Sequence, residues 1–360
     1  MSNRVSSPRE VQRPAGSLAA LQRPILSIVV VSYNTRAMTL ACLQSIADET
    51  TTPHEVIVID NGSVDGSPLA IAERFPDVQL YRLRHNIGFA RANNVAARVA
   101  RGRFILLLNP DTVVLERAID NLLAFAQRVP DAKIWGGRTI FDDGRLNTSS
   151  CWARMTVWNQ FCRMIGATAI LPRTTLFNGE AYGGWRRDSE RAVDIVSGCF
   201  LLIERSFWNT LEGFNAAYFM YGEEADLCLR ARAFGARPRI TPNARIVHHG
   251  GASETTRFSK MVKLLRAKAT LARTHSGYAA PLVLAFMAAW PLTRWLALTT
   301  VGRLLARDVS VLNERASTWK AIWLHRRHWL RGYDTGLTPR DPHLGLMLVA
   351  GAKGKANRAA

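Results

Sequence analysis

The 360-residue sequence predicts an α/β domain built on a parallel sheet, followed by a helical region with a different charge balance. Three observations lead to this prediction: continuous apolar, β-branched runs, their regular alternation with helical segments, and a change to basic, Trp-rich sequence after residue 256. An apolar content of 48% and a charged content of 21% exclude a wholly disordered chain.

The alternating segments follow one another at short intervals through the first third of the chain. Residues 25–31 (ILSIVVV) have the composition of a strand buried on both faces, and Thr35 is suited to cap a helix over 36–47. The pattern repeats as strands and helices over 55–59, 67–75, 78–83, 88–100, 104–108 and 115–128. Strands that alternate with helices in this way predict a parallel sheet with crossover helices.

A second ordered block covers residues 193–250. We predict a strand over 193–203, a short helix after Ser206, a helix over 223–234 and a strand that ends at His248. Between the two blocks, residues 140–192 have no regular pattern except a hairpin turn at Asp142-Asp143-Gly144.

The distribution of charge narrows the class of protein. The net charge of +19 is uneven, because residues 257–360 hold 18 of the 47 basic residues and only 4 of the 28 acidic residues. A net charge of this size first suggests a nucleic-acid-binding protein. Here, however, the cations flank apolar, Trp-rich segments and do not form a polar groove with stacking aromatics, so nucleic acid is the weaker alternative.

The spacing of the cysteines and the composition of residues 1–24 indicate the cellular compartment in which the protein folds. Five cysteines include no pair of the CxxC kind, which favours a reducing compartment over a disulfide framework or a zinc ribbon. Residues 1–24 contain no apolar core segment, so we expect a flexible arm and not a secretory signal.

Polar side chains follow each predicted strand of the first block. These sets are Ser32-Tyr33-Asn34-Thr35, Asp60-Asn61-Gly62-Ser63, Asn86-Ile87-Gly88-Phe89 and Asn109-Pro110-Asp111-Thr112. Each set alone is explained by a turn or a helix cap. Because ligands bind beyond the carboxyl ends of parallel strands, four such sets on one edge predict a binding site. The sequence contains neither GxGxxG nor GxxxxGK[ST], which argues against dinucleotide enzymes and P-loop NTPases.

A mononucleotide suits such an edge. The ring of Tyr33 can stack on a base, and the carboxylate of Asp60 can accept a base N–H. Asp111 can hold a divalent cation against a diphosphate, because hard cations prefer oxygen ligands.

The second block adds acids and a histidine. Glu223, Glu224 and Asp226 lie in the first turn of the predicted helix, where the helix dipole stabilises one or two carboxylates. Three acids within four residues repel one another, and this crowding raises a pKa towards the range of a general base. His248 ends its strand beside glycines and can serve as a ligand.

Together these segments resemble the glycosyltransferase family 2 enzymes, particularly their bacterial rhamnosyltransferase-like branch. The resemblance covers about 25–255 and depends on the order and spacing of IVVVSYNT, VIVIDNGSVDGS, NIGFARANN, ILLLNPDT, VSGCFLLIERSFW, FMYGEEADLCLRARAFG and ARIVHHGGAS. It implies the GT-A fold, a Rossmann-like nucleotide-binding α/β/α sandwich. We therefore divide the chain into an arm (1–24), a GT-A domain (25–256) and a basic, membrane-associating helical region (257–360).

The resemblance also implies residue roles. Donor-binding residues would be Tyr33, Asn34, Asp60, Asn61, Asn86, Gly88, Asn94, Asn109, Asp111 and Gly198. Asn109 stands at the first position of the family's DxD-type motif, so Asp111 and His248 would hold a Mg²⁺ or Mn²⁺ ion. Glu224 stands at the catalytic-base position, where the family usually has Asp, and Glu223 is the competing candidate. Asp226 would orient this motif or touch the acceptor, and Ser197-Gly198 would form the floor of the sugar site.

The implied reaction is an inverting, metal-dependent transfer of a sugar to a hydroxyl of a lipid-linked or growing cell-surface polysaccharide. The resemblance favours L-rhamnose from dTDP-rhamnose, and another UDP- or dTDP-sugar is the alternative. The expected partners are a nucleotide-sugar donor, a glycan or glycolipid acceptor and an anionic membrane, with no nucleic acid. We expect the irregular 140–192 segment to shape the acceptor site.

The stretch between Arg273 and Arg294 contains no charged residue and is long enough to span a membrane, although Pro281 and Pro291 interrupt it. Its basic, Trp-rich flanks favour a helix that lies on an anionic leaflet. A span over 274–302 and a packed soluble subdomain are the alternatives. Attachment of this kind would place the protein at the cytoplasmic face of the bacterial inner membrane.

Overall fold

The computed structural model describes residues 24–250, 256–305, 310–335 and 347–350. The predicted arm, apart from Pro24, lies outside the described residues. The division of the chain at residue 256 stays a prediction.

The first third of the chain forms the parallel part of the sheet. Its elements are β1 (Leu26–Ser32), α1 (Arg36–Glu49), β2 (His54–Asp60), α2 (Ser67–Arg74), β3 (Gln79–Arg82), α3 (Phe89–Val99) and β4 (Phe104–Leu108). β1 pairs in parallel with β2 and β4, and β2 pairs in parallel with β3. Every residue of β1 and β4 is buried, which explains their continuous apolar sequence. The predicted parallel sheet is confirmed.

The middle of the chain completes a mixed sheet. It contains β5 (Thr112–Leu115), α4 (Ala118–Arg128), β6 (Ile134–Ile140), β7 (Leu146–Asn147), β8 (Cys151–Trp152), α5 (Val157–Met164), α6 (Ala167–Ile170), β9 (Arg191–Ala192), β10 (Ile195–Val196), β11 (Phe200–Glu204), α7 (Arg205–Thr210), α8 (Glu223–Ala233) and β12 (Arg239–His248). The main sheet runs β3-β2-β1-β4-β11-β6-β12-β5, with β11 antiparallel to β4. The predicted hairpin turn is confirmed, because Phe141 N donates to Arg145 O at 2.9 Å.

Three local predictions were wrong. The helix predicted over 115–128 begins only at Ala118, because the β-branched segment before it forms β5, the edge strand beside β12. The strand predicted over 193–203 is divided at Ser197–Cys199: β10 pairs with β8, while β11 enters the main sheet. Thr35 precedes α1 but makes no side-chain cap, because its hydroxyl bonds to those of Ser32 and Thr39 instead.

Basic helices follow the sheet, as predicted. They are α9 (Arg257–His275), α10 (Ala280–Leu305), α11 (Ser310–Leu324) and α12 (Arg326–Leu330), and a short strand, β13 (Met347–Ala350), pairs antiparallel with β3. The helices bury a separate apolar cluster that includes Leu265, Met287, Ile322 and Trp329.

The apolar helix is not interrupted at its prolines. Pro281 lies in the first turn of α10, where a helix tolerates proline, and Pro291 lies inside a continuous helix. Within the described part of the chain, Gly277–Val301 is the helical stretch long and apolar enough to cross a membrane. Its most apolar 18-residue segment has a mean hydropathy of 1.4, and 17% of that segment is buried. By length and composition alone it is compatible with either a span or a surface helix.

Candidate active site

A cavity of about 650 Å³ opens at the carboxyl ends of the parallel strands. It brings together residues from both predicted blocks. Those of the predicted site are Tyr33, Asn61, Asn86, Gly88, Asn109, Asp111, Gly198, Glu223, Glu224 and His248. Its volume lies within the range of small-molecule sites, about 300–1,000 Å³. The polar strand ends are therefore one site and not four independent turns.

Asparagine side chains hold one edge of the cavity in shape. Asn61 Oδ1 accepts from Ile87 N at 2.9 Å, and Asn61 Nδ2 donates to Asn86 Oδ1 at 3.1 Å. Asn86 Oδ1 also accepts from Gly88 N at 2.9 Å. Gly88 has a φ of +88°, and a Cβ there would come within 2.5 Å of Phe219 O. Only glycine lets the loop that carries Phe219 approach this edge so closely.

Asp60 is fully buried at the end of β2. Asp60 Oδ2 accepts from Ser63 N at 3.2 Å, whereas Asp60 Oδ1 is buried without a hydrogen-bond partner in the described structure. Burial raises the pKa of Asp60, although the bonds from Ser63 and the charge of Arg82 oppose the rise. Asp60 does not line the cavity, so the structure does not bring this predicted donor-binding carboxylate to the cavity wall.

Two residues predicted to bind the donor are engaged elsewhere. Both amide atoms of Asn94 bond to the backbone of Phe214, with Nδ2 donating to its carbonyl at 2.8 Å. Asn34 Oδ1 accepts from Val64 N at 2.9 Å. Neither Asn34 nor Asn94 lines the cavity, so the structure gives both side chains the role of holding loops together.

Asp111 and His248 are neighbours in the wall of the cavity. Asp111 Oδ1 lies 3.5 Å from His248 Nε2, and Asp111 Oδ2 accepts from Gly250 N at 3.1 Å. Burial disfavours the charged imidazole, but the adjacent Cys199 and Asp111 raise the pKa of His248 to about 10. Burial likewise opposes ionisation of Asp111, yet its bond to His248 lowers the pKa of Asp111. In the free protein the two groups therefore form an ion pair.

This pair fits a divalent cation that is shared with a substrate. Among the described residues, no cluster of three His, Cys, Asp or Glu side chains is placed to hold a metal ion by itself. His248 would be a ligand once a metal ion displaces its proton, and Asp111 would supply a second. Asn109 Oδ1 is a buried oxygen with no hydrogen-bond partner in the described structure. Mg²⁺ is often held by one or two carboxylates and completed by substrate phosphates, so the donor set suits a diphosphate-bound ion.

Two adjacent carboxyl groups occupy the first turn of α8. Glu223 is buried, and Glu223 Oε2 and Glu224 Oε2 have no hydrogen-bond partner among the described residues. Burial and the charge of Glu224 raise the pKa of Glu223 well above its usual value, and burial also raises the pKa of Glu224. Both side chains line the cavity, as a general base requires.

Asp226 has a different environment from these two acids. It does not line the cavity, and its carboxylate oxygens lie 2.7 Å from Arg230 Nε and 2.8 Å from His275 Nε2. Burial opposes ionisation, but His275 and Arg230 lower the pKa of Asp226. Of the two predicted roles, these contacts favour orientation of the acidic turn over contact with an acceptor.

The sequence patterns missed a group of charged residues at the other end of the cavity. Arg163, Glu180, Lys260 and Lys268 all line it, together with Trp152. They come from the irregular segment and from α9, and Glu180 and Lys268 are 88 residues apart. No local spacing signal connects such positions.

Comparisons with known proteins agree with this arrangement. The model of the family Glycosyl transferase family 2 matches residues 27–209. An N-acetylglucosaminyl-diphospho-decaprenol L-rhamnosyltransferase of Mycobacterium tuberculosis is 31% identical over 239 residues, which are 62% of this chain and 76% of that protein. Rhamnosyltransferase WbbL of Escherichia coli is 27% identical over 186 residues, which are 48% of this chain and 65% of that protein.

A solved structure has the same fold. A mannosyltransferase from Pyrobaculum calidifontis, in complex with GDP-Man and Mn²⁺, superposes with a TM-score of 0.53 at 17% identity and covers 85% of this chain and 88% of its own. The predicted GT-A fold is thereby confirmed. With a family model that matches half of its length, the chain belongs to glycosyl transferase family 2 and is a glycosyltransferase.

Proposed function

We propose that this glycosyltransferase transfers L-rhamnose from dTDP-rhamnose, with inversion, to a hydroxyl group of a lipid-linked or growing polysaccharide. One observation carries the catalytic part: two adjacent carboxyl groups, each with a buried oxygen that has no hydrogen-bond partner among the described residues, share a cavity with the Asp111–His248 pair. The choice of sugar and of a lipid-linked acceptor is supported by the activities named for the bacterial relatives.

The donor would occupy the edge formed by the parallel strands. Tyr33 lines the cavity and would stack on the base, whereas the buried Asp60 would support this edge through its hydrogen bond from Ser63. Asn86 and Gly88 lie along the same edge and would contact the ribose or the diphosphate. Gly198 lies between β10 and β11 and close to Glu224. Because glycine has no side chain, it leaves room for the sugar at this position.

Glu224 would act as the general base. Its raised pKa favours proton uptake from the acceptor hydroxyl, whose oxygen then attacks the anomeric carbon as the nucleoside diphosphate departs. A single displacement of this kind inverts the anomeric centre. Glu223 is more deeply buried, and burial together with the charge of Glu224 raises its pKa.

Asp111 and His248 would hold the leaving group in place. A divalent cation bound to them would neutralise the departing diphosphate as a Lewis acid. The buried oxygen of Asn109 is available to the same assembly. Mg²⁺ and Mn²⁺ are both compatible with a carboxylate, an imidazole and phosphate oxygens.

We further propose that the basic helices attach the enzyme to the cytoplasmic face of the inner membrane. The supporting feature is the exposed apolar surface of α10, where Leu282, Leu296 and Val301 are 54%, 52% and 44% exposed. Cationic flanks add attraction to anionic lipids.

The test is a transfer assay with a panel of dTDP- and UDP-sugars, with Mg²⁺ or Mn²⁺ and with EDTA. Lipid-diphosphate-linked N-acetylglucosamine serves as the acceptor. We expect a rhamnosylated product from dTDP-rhamnose only when metal is present, and NMR of the product should show inverted anomeric configuration. A larger yield from another sugar nucleotide would replace the donor, and retained configuration would overturn the mechanism.

A further inference from the structure

One part of the cavity wall, which we call the basic end, is lined by Arg163, Lys260 and Lys268. Arg163 on α5 belongs to the irregular 140–192 segment, and the two lysines on α9 lie outside the residues that the family model matches. None of them takes part in the Asp111–His248 pair. A concentration of cations at this position is not explained by the donor, whose diphosphate has its own place at the strand ends.

The charges at this end do not cancel. Glu180 is the one acidic partner shown for these cations in the described structure: Glu180 Oε2 accepts from Arg163 Nη2 at 2.9 Å, and Glu180 Oε1 contacts Lys268 Nζ. Lys260 is exposed at the cavity and makes no ion pair among the described residues. Three cations thus face one carboxylate. Burial and the adjacent Arg163 lower the pKa of Lys268, so an added anion would stabilise its charged form.

This basic end adjoins the catalytic turn. Gly222 immediately precedes Glu223, and a Cβ on Gly222 would lie 3.1 Å from the Cβ of Ala267. Ala267 is the neighbour of Lys268 on α9, and Leu271, one turn further on, also lines the cavity. A ligand held by Lys268 would therefore lie beside the turn that carries Glu224.

The same end also borders the apolar helix. The Arg163 guanidinium lies 5.3 Å from the ring centroid of Trp290 on α10, and Thr293 Oγ1 donates to Met164 O at 2.6 Å. The rings of Phe161 and Phe286 are 5.6 Å apart. Arg163, which lines the cavity, thus sits beside the helix whose length and composition fit a membrane. This is where the phosphate groups of a lipid-linked molecule would lie if its hydrocarbon chain followed α10.

We infer that Lys260, Lys268 and Arg163 bind the diphosphate of a lipid-linked acceptor and present its sugar hydroxyl to Glu224. This inference rests on the proposed function, because it assumes transfer to a lipid-diphosphate glycan. Guanidinium and ammonium groups are the usual partners of phosphate oxygens. The acceptor and donor diphosphates would then be bound at opposite ends of one cavity, with the reacting sugars between them.

The experiment compares two acceptors that differ in charge. One is N-acetylglucosamine linked through a diphosphate to a short polyprenyl chain, and the other is the neutral alkyl glycoside of the same sugar. Lys260→Gln and Lys268→Gln each remove one charge, and the glutamine amide at position 268 can still donate to Glu180. We expect each variant to raise KM for the diphosphate acceptor about tenfold and to change KM for the neutral acceptor less than about twofold.

Lys263→Gln is the matched control, because it removes the same charge from α9 at a position that does not line the cavity. It should leave both KM values at the wild-type level. Calorimetric titration with dTDP separates the two diphosphates: an unchanged Kd in the Lys260 and Lys268 variants supports the acceptor assignment. A weakened Kd would move these cations to the donor site and overturn it.

Two further outcomes separate this inference from the proposed function. If the wild-type enzyme transfers sugar but the variants affect both acceptors equally, the basic end has only a structural role. If the wild-type enzyme transfers sugar to neither acceptor, the proposed lipid-linked acceptor itself is wrong.

Discussion

Two acidic sites line the same cavity and have opposite electrostatics. Glu180 lies beside Arg163 and Lys268, and these cations lower its pKa to about 2 in spite of burial. Glu223 has no ion-pair partner among the described residues, so burial and the adjacent charge of Glu224 raise its pKa well above 4.5. Burial acts in the same direction at both sites, and the presence of cations decides the outcome.

The difference separates two uses of a buried acid. At Glu180 the carboxylate is permanently ionised and ties the irregular segment to α9. At Glu223 and Glu224 burial raises the pKa and costs stability, and the proposed role of proton acceptor would account for acids at these positions.

The largest effect is expected for Glu224→Gln. Since the amide cannot accept the hydroxyl proton, kcat should fall about 10²–10⁴-fold, the range of general-base catalysis. The substitution leaves the strand edge untouched, so the Kd for dTDP in the presence of Mg²⁺ should stay at the wild-type value. Steady-state kinetics and calorimetry measure these two quantities separately.

Glu223→Gln is the matched control for this prediction. It changes the neighbouring acid in the same turn, and its loss of kcat should be at least tenfold smaller than that of Glu224→Gln. The reverse order of the two variants would assign the base to Glu223 instead.

The second prediction concerns the paired acid. Glu180→Ala leaves Arg163 and Lys268 at a largely buried site without their shared carboxylate, and breaking a buried pair in this way costs about 3–5 kcal/mol of the free energy of unfolding. Urea denaturation measures the loss. Adding Lys268→Met to this variant removes one stranded charge and should recover part of the stability; a further loss would show that the pair is not what holds Lys268.

These two sites also show what sequence reasoning can reach. The parallel sheet and the cavity edge were predictable, because continuous apolar runs identify buried strands and carboxyl ends of parallel strands share one edge. Glu224 was predicted as the base from the family resemblance and from its place among the acids of a helix start, and this role stays a prediction. Such signals are local, or repeat along the chain at short intervals.

Glu180 and its partners lacked any signal of that kind. Glu180 lies in a segment without periodicity. Lys268 lies on a basic helix, whose sequence pattern predicts a solvated or membrane-facing surface. Their pairing is created only when α9 packs beside α5 and α8. The division of the predicted 193–203 strand has a similar origin. Its residues suit a strand throughout, but β10 pairs with β8 and β11 pairs with β4 of the main sheet, so the strand breaks at Ser197–Cys199.

The third prediction is a pH dependence of stability. Because the folded-state pKa of Glu223 lies above the unfolded value of 4.5, the folded state binds more protons, and the wild-type protein loses stability as pH rises above about 4.5. Glu223→Gln abolishes this loss, about 1.4 kcal/mol for each unit by which the pKa is raised. The variant should therefore be more stable than wild type at pH 7.5 and similar to it at about pH 4.

Thermal unfolding at the two pH values provides the measurement. Glu180→Gln is the contrasting variant, since the pKa of Glu180 is lowered: its stabilising contribution is present above 4.5 and is lost as pH falls towards about 2. Equal pH profiles for Glu223→Gln and wild type would mean that Glu223 is not the strained member of the pair.

The smallest effect is expected at the link between the acidic turn and the basic helices. His275 Nε2 contacts Asp226 from the last turn of α9, while Arg230 holds the other oxygen from within α8. Since Arg230 remains, His275→Ala should lower kcat only about three- to tenfold. His275→Gln, whose amide can donate to Asp226, should recover most of that loss. A change confined to kcat, with KM for both substrates unchanged, identifies His275 as a positioning residue for Glu224; a fall in melting temperature with full activity would reduce it to a structural contact and leave the catalytic turn independent of α9.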